Sequence, residues 1–228
     1  MDPKDCVLEI WRVRAAAAEA AAERGSNDTG KRSEVTSGTH MNALTDLIAD
    51  TFVAAGIPRH EVHCRKKLEL PGYFRAEKKW DIVVVHDNKL VAAIELKAIA
   101  SSYGNNMNNR AEEALGNATD LAHSIRSSLV GTHAPWLGYV FVIRDEEKSR
   151  KSVKNYAPHF PVDPAFKGRS YQQRAELLCR RLMLERLYDR AWFITADPVA
   201  GTVAEPDPEM GWAKFKAAIE GAVAQALA

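Results

Sequence analysis

An α/β/α sandwich on a mixed β-sheet is the fold class this sequence predicts, and three observations lead to it. Helical and strand-like patterns follow one another in the order helix, hairpin, helix, strand, helix, strand, helix, an order that layers helices over a sheet. Two neighbouring runs, Lys79–Val85 and Leu90–Ala98, are rich in β-branched and apolar residues. They flank the turn-like His86-Asp87-Asn88-Lys89 and read together as a hairpin. With 228 residues, 46% of them hydrophobic, the chain can bury one sizeable core as a single domain with insertions, 1–228.

Each element follows from its local pattern. Cys6–Arg24 has an alanine-rich middle, offers Ile10 and Trp11 for packing, and reads as a helix. Gly25–Gly38 is polar and glycine-interrupted, which predicts a loop or a disordered stretch. Thr39–Ala55 carries Met41, Leu44, Leu47, Ile48 and Phe52 on one helical stripe and stops at Gly56-Ile57-Pro58. Glu61–Leu70 is the next expected strand, ended by Pro71-Gly72, and the hairpin follows. Asn105–Leu129 reads as a long helix with Met107, Ala111, Leu115, Ala118, Ala122 and Ile125 facing inward. Trp136–Ile143 is a strong strand, and Trp136 and Trp192 are expected in the core. Arg144–Gly168 is charged, proline-bearing and without periodicity. Ser170–Asp189 is helical, Ala191–Ala196 a short strand, and Asp207-Pro208-Glu209 opens a capped final helix. That helix spaces Trp212, Phe215, Ile219, Val223 and Leu227 for packing on the sheet or for a dimer surface.

Composition narrows the classes of function. A net charge of +1 with 27% charged residues excludes a broadly basic nucleic-acid coat protein. Cys6, Cys64 and Cys179 are odd in number and unpaired in spacing, so reduced thiols are expected and a structural zinc site is not. The histidines lack zinc spacing as well. There is no apolar run of membrane-spanning length and no signal-peptide pattern, so a soluble cytoplasmic protein is expected. Positive charge is nonetheless concentrated. Basic residues exceed acidic ones by four across 65–79, and again by four across 144–174, where Lys151 and Lys154 lie. Such concentrations in a near-neutral chain suit phosphate contact, and 144–168 is the expected DNA-contacting loop.

Asp81, Glu95 and Lys97 are the candidate chemistry. Charged residues in apolar strands are costly to bury unless a metal or a charged partner offsets them. Of several acid-x-Lys matches in the chain, only Glu95-Leu96-Lys97 sits inside an apolar strand with an acid on the preceding strand. Residues two apart on a strand share a face, so Glu95 and Lys97 point the same way. Asp81 joins them if it lies opposite Glu95, which an odd-length loop such as Asp87-Asn88-Lys89 allows. A two-residue loop puts Asp81 on the other face unless a bulge re-aims it. Two carboxylates and an ammonium at one strand end suit Mg²⁺-assisted phosphodiester hydrolysis. The carboxylates hold the cation, and the lysine orients a water and offsets developing charge.

Lys79-Trp80-Asp81 followed by Glu95-Leu96-Lys97 resembles the catalytic signature of the PD-(D/E)XK nucleases, with Trp80 where the superfamily name has proline. The wider run resembles the XhoI family of type II restriction endonucleases. It comprises Leu70–Arg75, Lys78–Asp81, the Glu95-Leu96-Lys97 strand and Ser102–Gly116, with its Asn-Asn-Arg-Ala-Glu-Glu stretch. The likeness spans most of the chain. It implies a restriction-endonuclease-like core at 39–143 and Mg²⁺-dependent double-strand cleavage at CTCGAG, leaving 5′-phosphates and 5′ overhangs. By the same resemblance Asp81 and Glu95 are metal ligands, the Leu96 carbonyl is a third, and Lys97 positions the attacking water. An acid from the preceding helix region sometimes completes such sites, and here Glu34, Asp46 and Asp50 stay open.

The helix beginning near Asn105 has a polar face of Asn105, Asn109, Glu113 and Gly116, with Glu112 alongside. Asn pairs with adenine, Arg with guanine, and Glu accepts from cytosine N4, so Asn105, Asn106, Asn109, Arg110 and Glu113 are the expected base readers. Asn105 alternatively caps the helix. A site-specific endonuclease, a structure-specific repair or recombination nuclease, and a non-catalytic DNA-binding domain on the same fold are the classes left open. The intact Asp-Glu-Lys set favours an enzyme, and the Asn-rich helix favours the first. A palindromic site then calls for a homodimer, and self-toxicity for a cognate DNA methyltransferase.

Overall fold

A computed structural model describes residues 1–23 and 39–228 of the chain; the expected loop Gly25–Gly38, with Glu34, lies outside the described residues. Helix α1 (Pro3–Glu23) and helix α2 (Asn42–Ala55) precede three short strands, β1 (Val62–His63), β2 (Glu69–Pro71) and β3 (Glu77–Lys79). Strands β4 (Ile82–His86) and β5 (Lys89–Ile99) form the hairpin. Helix α3 (Tyr103–Arg126), strand β6 (Trp136–Arg144), helix α4 (Glu147–Arg150), helix α5 (Tyr171–Leu184), strands β7 (Arg190–Asp197) and β8 (Thr202–Ala204), and helix α6 (Trp212–Leu227) complete it.

The main sheet has six strands in the order β1-β4-β5-β6-β7-β8. β5, β6 and β7 run parallel, and the outer pairings are antiparallel. The sheet is therefore mixed, as expected. Alternation along the strands divides the core in two. Ile82, Val84, Ile94, Val140, Val142 and Ile194 pack with Ile10 and Trp11 of α1, Leu44, Ile48 and Phe52 of α2, and Phe215 and Ile219 of α6. Val83, Ala93, Tyr139, Phe141, Ile143 and Phe193 face the other way, against Met107, Ala118 and Leu121 of α3 and Cys179 and Leu182 of α5. Helices on both faces make the three-layer α/β fold.

Several boundaries differ from the sequence expectation for physical reasons. The strand expected over Glu61–Leu70 is broken: Lys67 takes a positive φ of 59°, and β2 leaves the main sheet to pair with β3 in a separate ribbon. Asp207 caps a short 3₁₀ turn, Pro208–Met210, so the last helix starts only at Trp212. Phe215, Ile219 and Val223 of that helix are fully buried against the chain's own sheet, which removes it as a dimer surface. On α3 the inward stripe runs through Met107, Ala114, Ala118 and Leu121, whereas Leu115 is exposed.

Segment 144–168 has more structure than its lack of periodicity suggested, because side chains rather than apolar spacing hold it. Ser149 and Glu146 cap α4 reciprocally. The Val153 N–H reaches the Arg169 carbonyl at 3.0 Å, and Arg174 reaches the Val153 carbonyl at 3.1 Å. Lys154, Tyr156 and Phe160 stand exposed beyond these ties.

Candidate active site

The hairpin brings the three candidate residues together at one cleft. Its turn is two residues, Asp87-Asn88, with φ of 48° and 58°, the all-positive backbone of the tight hairpin turn that Asp and Asn tolerate. From that turn alone Asp81 would face away. A bulge at Val84/Val85 resets the pairing, so that Val85 opposes Leu90 while Val84 opposes Ala92 and Ile82 opposes Ile94. Regular pairing ends at Ile82 and Ile94, and just beyond it the Asp81 N–H reaches the Ile94 carbonyl at 3.1 Å. The turn is thus two residues with a bulge, in place of the three-residue loop Asp87-Asn88-Lys89.

Beyond that point β4 has ended and the β5 edge is open. The Leu96 N–H, which would have served the ladder, donates to Asp81 Oδ2 at 2.7 Å. A strand residue sends its N–H and C=O toward the same edge, so the Leu96 carbonyl also faces the side where Asp81 stands. Glu95 is 2% exposed, yet both its oxygens are engaged. Lys97 Nζ pairs with Oε1, and Lys78 Nζ lies 2.9 Å from Oε2. Lys97 also lies 3.5 Å from Glu113 on α3, which Arg110 holds at 2.5 Å.

The electrostatics follow from this packing. Burial, and then the negative charge of Glu95, push the Asp81 carboxyl up to about 6, against the pull of Lys97, the Leu96 N–H and Lys78. Burial alone would lower Lys97, but Glu95, Asp81 and Glu113 outweigh it and hold the ammonium above its ordinary value. Lys97 is therefore held as an ammonium.

Around this cluster is a cleft of about 600 Å³ lined by Arg14, Thr45, Arg65, Lys78, Lys79, Asp81, Glu95, Leu96, Lys97, Asn106 and Arg110, among others. Basic side chains dominate the lining, which suits an anionic backbone. Asn106 and Arg110 of α3 face it, whereas Asn105 lines a separate groove against α5, so the Asn-rich run divides between two surfaces. Asn105 is not the cap: α3 begins at Tyr103, and Asn106 Nδ2 bonds the Ser101 carbonyl at 2.7 Å. Asn109, Glu112 and Glu113 are exposed. Lys151 pairs with Glu147 at 2.7 Å on the surface, and Lys154 is exposed nearby. Asp46 and Asp50 are tied to Arg65 at 2.7 Å and Arg59 at 3.7 Å, and neither lines the cleft.

Two features escaped the sequence reading. Arg14 lines the cleft, and burial followed by the charge of Arg110 lowers its pKa. Val7, Ile10 and Trp11 are buried, and Arg14 continues their helical stripe. A cation on a core-facing stripe was the available signal. The second feature is the ribbon anchor. Asp120 of α3 is 3% exposed and accepts the N–H groups of Tyr73 at 2.9 Å and Phe74 at 2.8 Å, with Arg75 Nε at 2.7 Å. Burial opposes ionisation of Asp120, but these donors hold its carboxyl below the ordinary value.

A mixed α/β sheet with a buried and a half-buried carboxylate and a lysine on an open strand edge, facing a basic cleft, is equipped for phosphodiester hydrolysis. The chain belongs to the XhoI restriction endonuclease family, matching the family described as "Restriction endonuclease XhoI" over residues 20–205. It is 44% identical over 186 residues to the type II restriction enzyme BstVI of Geobacillus stearothermophilus, covering 78% of this chain and 83% of that one. It is 44% identical over 183 residues to the type II restriction enzyme XhoI of Xanthomonas vasicola, covering 78% and 73%. A third relative, the type II restriction enzyme AbrI of Azospirillum brasilense, is 36% identical over 160 residues, covering 69% and 72%. No solved structure matches the chain. Enzymes of this class are nucleases acting on DNA. No described helix is long and apolar enough to cross a membrane.

Proposed function

We propose that this enzyme makes Mg²⁺-dependent double-strand cuts at CTCGAG, leaving 5′-phosphates and 5′ overhangs, beside a cognate DNA methyltransferase. The observation that carries the reading is the convergence of Asp81, Glu95 and Lys97 at the open edge of β5. The choice of CTCGAG rests on the likeness of Leu70–Asp81 and Ser102–Gly116 to the XhoI family.

The donor set fits a hard divalent cation. Asp81, Glu95 and the Leu96 carbonyl offer only oxygens, the ligands Mg²⁺ takes. Mg²⁺ held there supplies Lewis-acid polarisation of the scissile phosphate and a more acidic water. The protein's own groups do the rest. Lys97, kept cationic by its carboxylate neighbours, donates to the attacking water and offsets charge developing on the phosphate. Arg14, Lys79 and Arg110 draw the backbone into the cleft. Asn106, Asn109, Arg110 and Glu113 read base edges from α3, while Lys151 and Lys154 contact phosphates from the 144–168 segment, all within one endonuclease domain with its core at 39–143.

Digestion of a plasmid of known sequence with Mg²⁺, followed by sequencing of the ends, tests the reading. The expected product has cuts at every CTCGAG, with 5′-phosphates and 5′ overhangs. Cutting at unrelated sites, or at branched structures only, overturns it.

A further inference from the structure

We propose that Lys78 is a removable counter-ion of the metal site: it occupies Glu95 in the metal-free enzyme and transfers to a DNA phosphate, so that metal binding is coupled to DNA binding. The inference rests on the proposed nuclease reading and deepens it.

Four observations carry it. Lys78 Nζ is 2.9 Å from Glu95 Oε2, and Lys97 takes Oε1, so both oxygens of a ligand carboxylate are held by ammonium groups. The Lys78 side chain is only 16% exposed and its Nζ lies 5.1 Å from the centre of the Trp80 ring, so it is packed into the site rather than resting on the surface. Two carboxylates, Asp81 and Glu95, meet two lysines, Lys78 and Lys97, so the cluster is charge-balanced before any metal arrives. A divalent ion added to this set leaves excess positive charge that an incoming phosphate would neutralise.

The fourth observation is where Lys78 comes from. It belongs to β3, in the two-stranded ribbon, not to the strands that carry Asp81, Glu95 and Lys97. The ribbon is fixed at its other end, where Asp120 takes the Tyr73 and Phe74 N–H groups and Arg75, and Asn117 accepts from Arg75 at 3.2 Å. A Cβ on Gly72 would come 2.6 Å from the Arg75 carbonyl oxygen, so the bend admits no side chain without a shift. Lys78 therefore rests on a fixed arm that lines the DNA cleft alongside Lys79 and Arg65. Its long stem can turn from Glu95 to a phosphate without moving the carboxylates, and a charge-assisted bond to phosphate replaces the one given up. Lys78 is in this sense a positioning residue for Glu95.

Calorimetric titration of Mn²⁺ tests the coupling, with and without a duplex made uncleavable by phosphorothioate at the scissile position. Unaltered enzyme should bind Mn²⁺ at least tenfold more tightly with the duplex than without it. Lys78→Met, which keeps the packing on Trp80, should bind Mn²⁺ more tightly without DNA, on the order of tenfold, the scale of removing a unit charge a few ångströms away. Its gain on adding duplex should shrink correspondingly, and its DNA affinity should depend on salt with a slope lower by about one phosphate contact. Lys78→Arg should restore the coupling. A merely structural lysine would leave Mn²⁺ binding unchanged or weaker on removal, and either result overturns the proposal. If Lys78→Met does not fold, equal Mn²⁺ affinity of the unaltered enzyme with and without duplex overturns it alone. CTCGAG cutting with no change in Mn²⁺ binding sinks this inference and leaves the nuclease reading standing. Failure to cut any DNA, with the coupling intact, does the reverse.

Discussion

Asp81 accepts the backbone N–H of Leu96 at 2.7 Å across the place where the β4–β5 ladder ends. A carboxylate thus completes a broken ladder, and the same break opens the edge on which the proposed chemistry depends. Two replacements should separate these roles. Asp81→Asn retains a carbonyl oxygen for the Leu96 N–H and should keep the fold, while Asp81→Ala loses the acceptor. Both should reduce Mg²⁺-dependent cleavage by at least a thousandfold in single-turnover assays, as should Glu95→Ala and Lys97→Ala, with specific DNA binding in Ca²⁺ surviving for at least one of the four. Near-normal cleavage by any of them removes that residue from the proposed site.

The raised carboxyl of Asp81 sets a pH dependence with a definite sign. Its folded-state value of about 6 lies above the ordinary 3.8, so the folded protein holds this proton more tightly than the unfolded chain. The stabilisation is complete below about pH 4 and is lost as pH rises through about 6. In EDTA at pH 8, Asp81→Asn should therefore be more stable than the unaltered protein, on the order of 1–3 kcal/mol. Below pH 4 this advantage should disappear. Saturating Ca²⁺ should raise the melting temperature of the unaltered protein more at pH 8 than at pH 5, because the cation prefers the ionised carboxyl. Melting curves of the two proteins that run parallel from pH 4 to 8 would contradict the burial of an ionising Asp81.

The central strands and the candidate triad were legible because they rest on local pattern. Ile82–Val85 and Leu90–Ala98 announce a hairpin, and the Glu95-x-Lys97 spacing fixes a shared face by strand geometry alone. What was not legible depended on partners distant in sequence. The turn length and the bulge had to be known together to place Asp81. Lys67 breaks the expected strand by taking a left-handed backbone, which the run Arg65-Lys66-Lys67 does not announce. Lys78 reads as one more lysine in a basic stretch until the ribbon folds it onto Glu95. Asp120 reads as a solvated helix acid, yet its partners lie more than forty residues away.

Base reading and phosphate contact should respond differently to mutation. Arg110 faces the cleft beside Asn106, whereas Lys154 is exposed on the 144–168 segment. Replacing Asn106, Asn109, Arg110 or Glu113 by Ala should cost roughly 1–3 kcal/mol of discrimination for each good base contact. Lys154→Ala or Lys151→Ala should weaken binding to every duplex alike and lower the salt slope by about one. Binding measured on CTCGAG and single-base variants over a salt series decides between them. An unchanged salt slope with altered site preference in Lys154→Ala would reverse the assignment.

Cutting both strands of the proposed palindrome in one binding event calls for two copies of a chain whose described residues hold one candidate site. The bases are presented twice about a two-fold axis, and matching C2 symmetry cuts both strands in one binding event. A homodimer in solution is therefore expected, with one dimer per site. The apolar face of α6 cannot supply the contact, because Phe215, Ile219 and Val223 are already buried against the chain's own sheet. Phe215→Ala should accordingly lower stability by about 3–5 kcal/mol, the cost of emptying a core position, and should leave the surviving folded protein dimeric. Sedimentation of the unaltered protein, free and on a single-site duplex, checks the assembly. A monomer under both conditions would rule out the dimer and point to two sequential nicks.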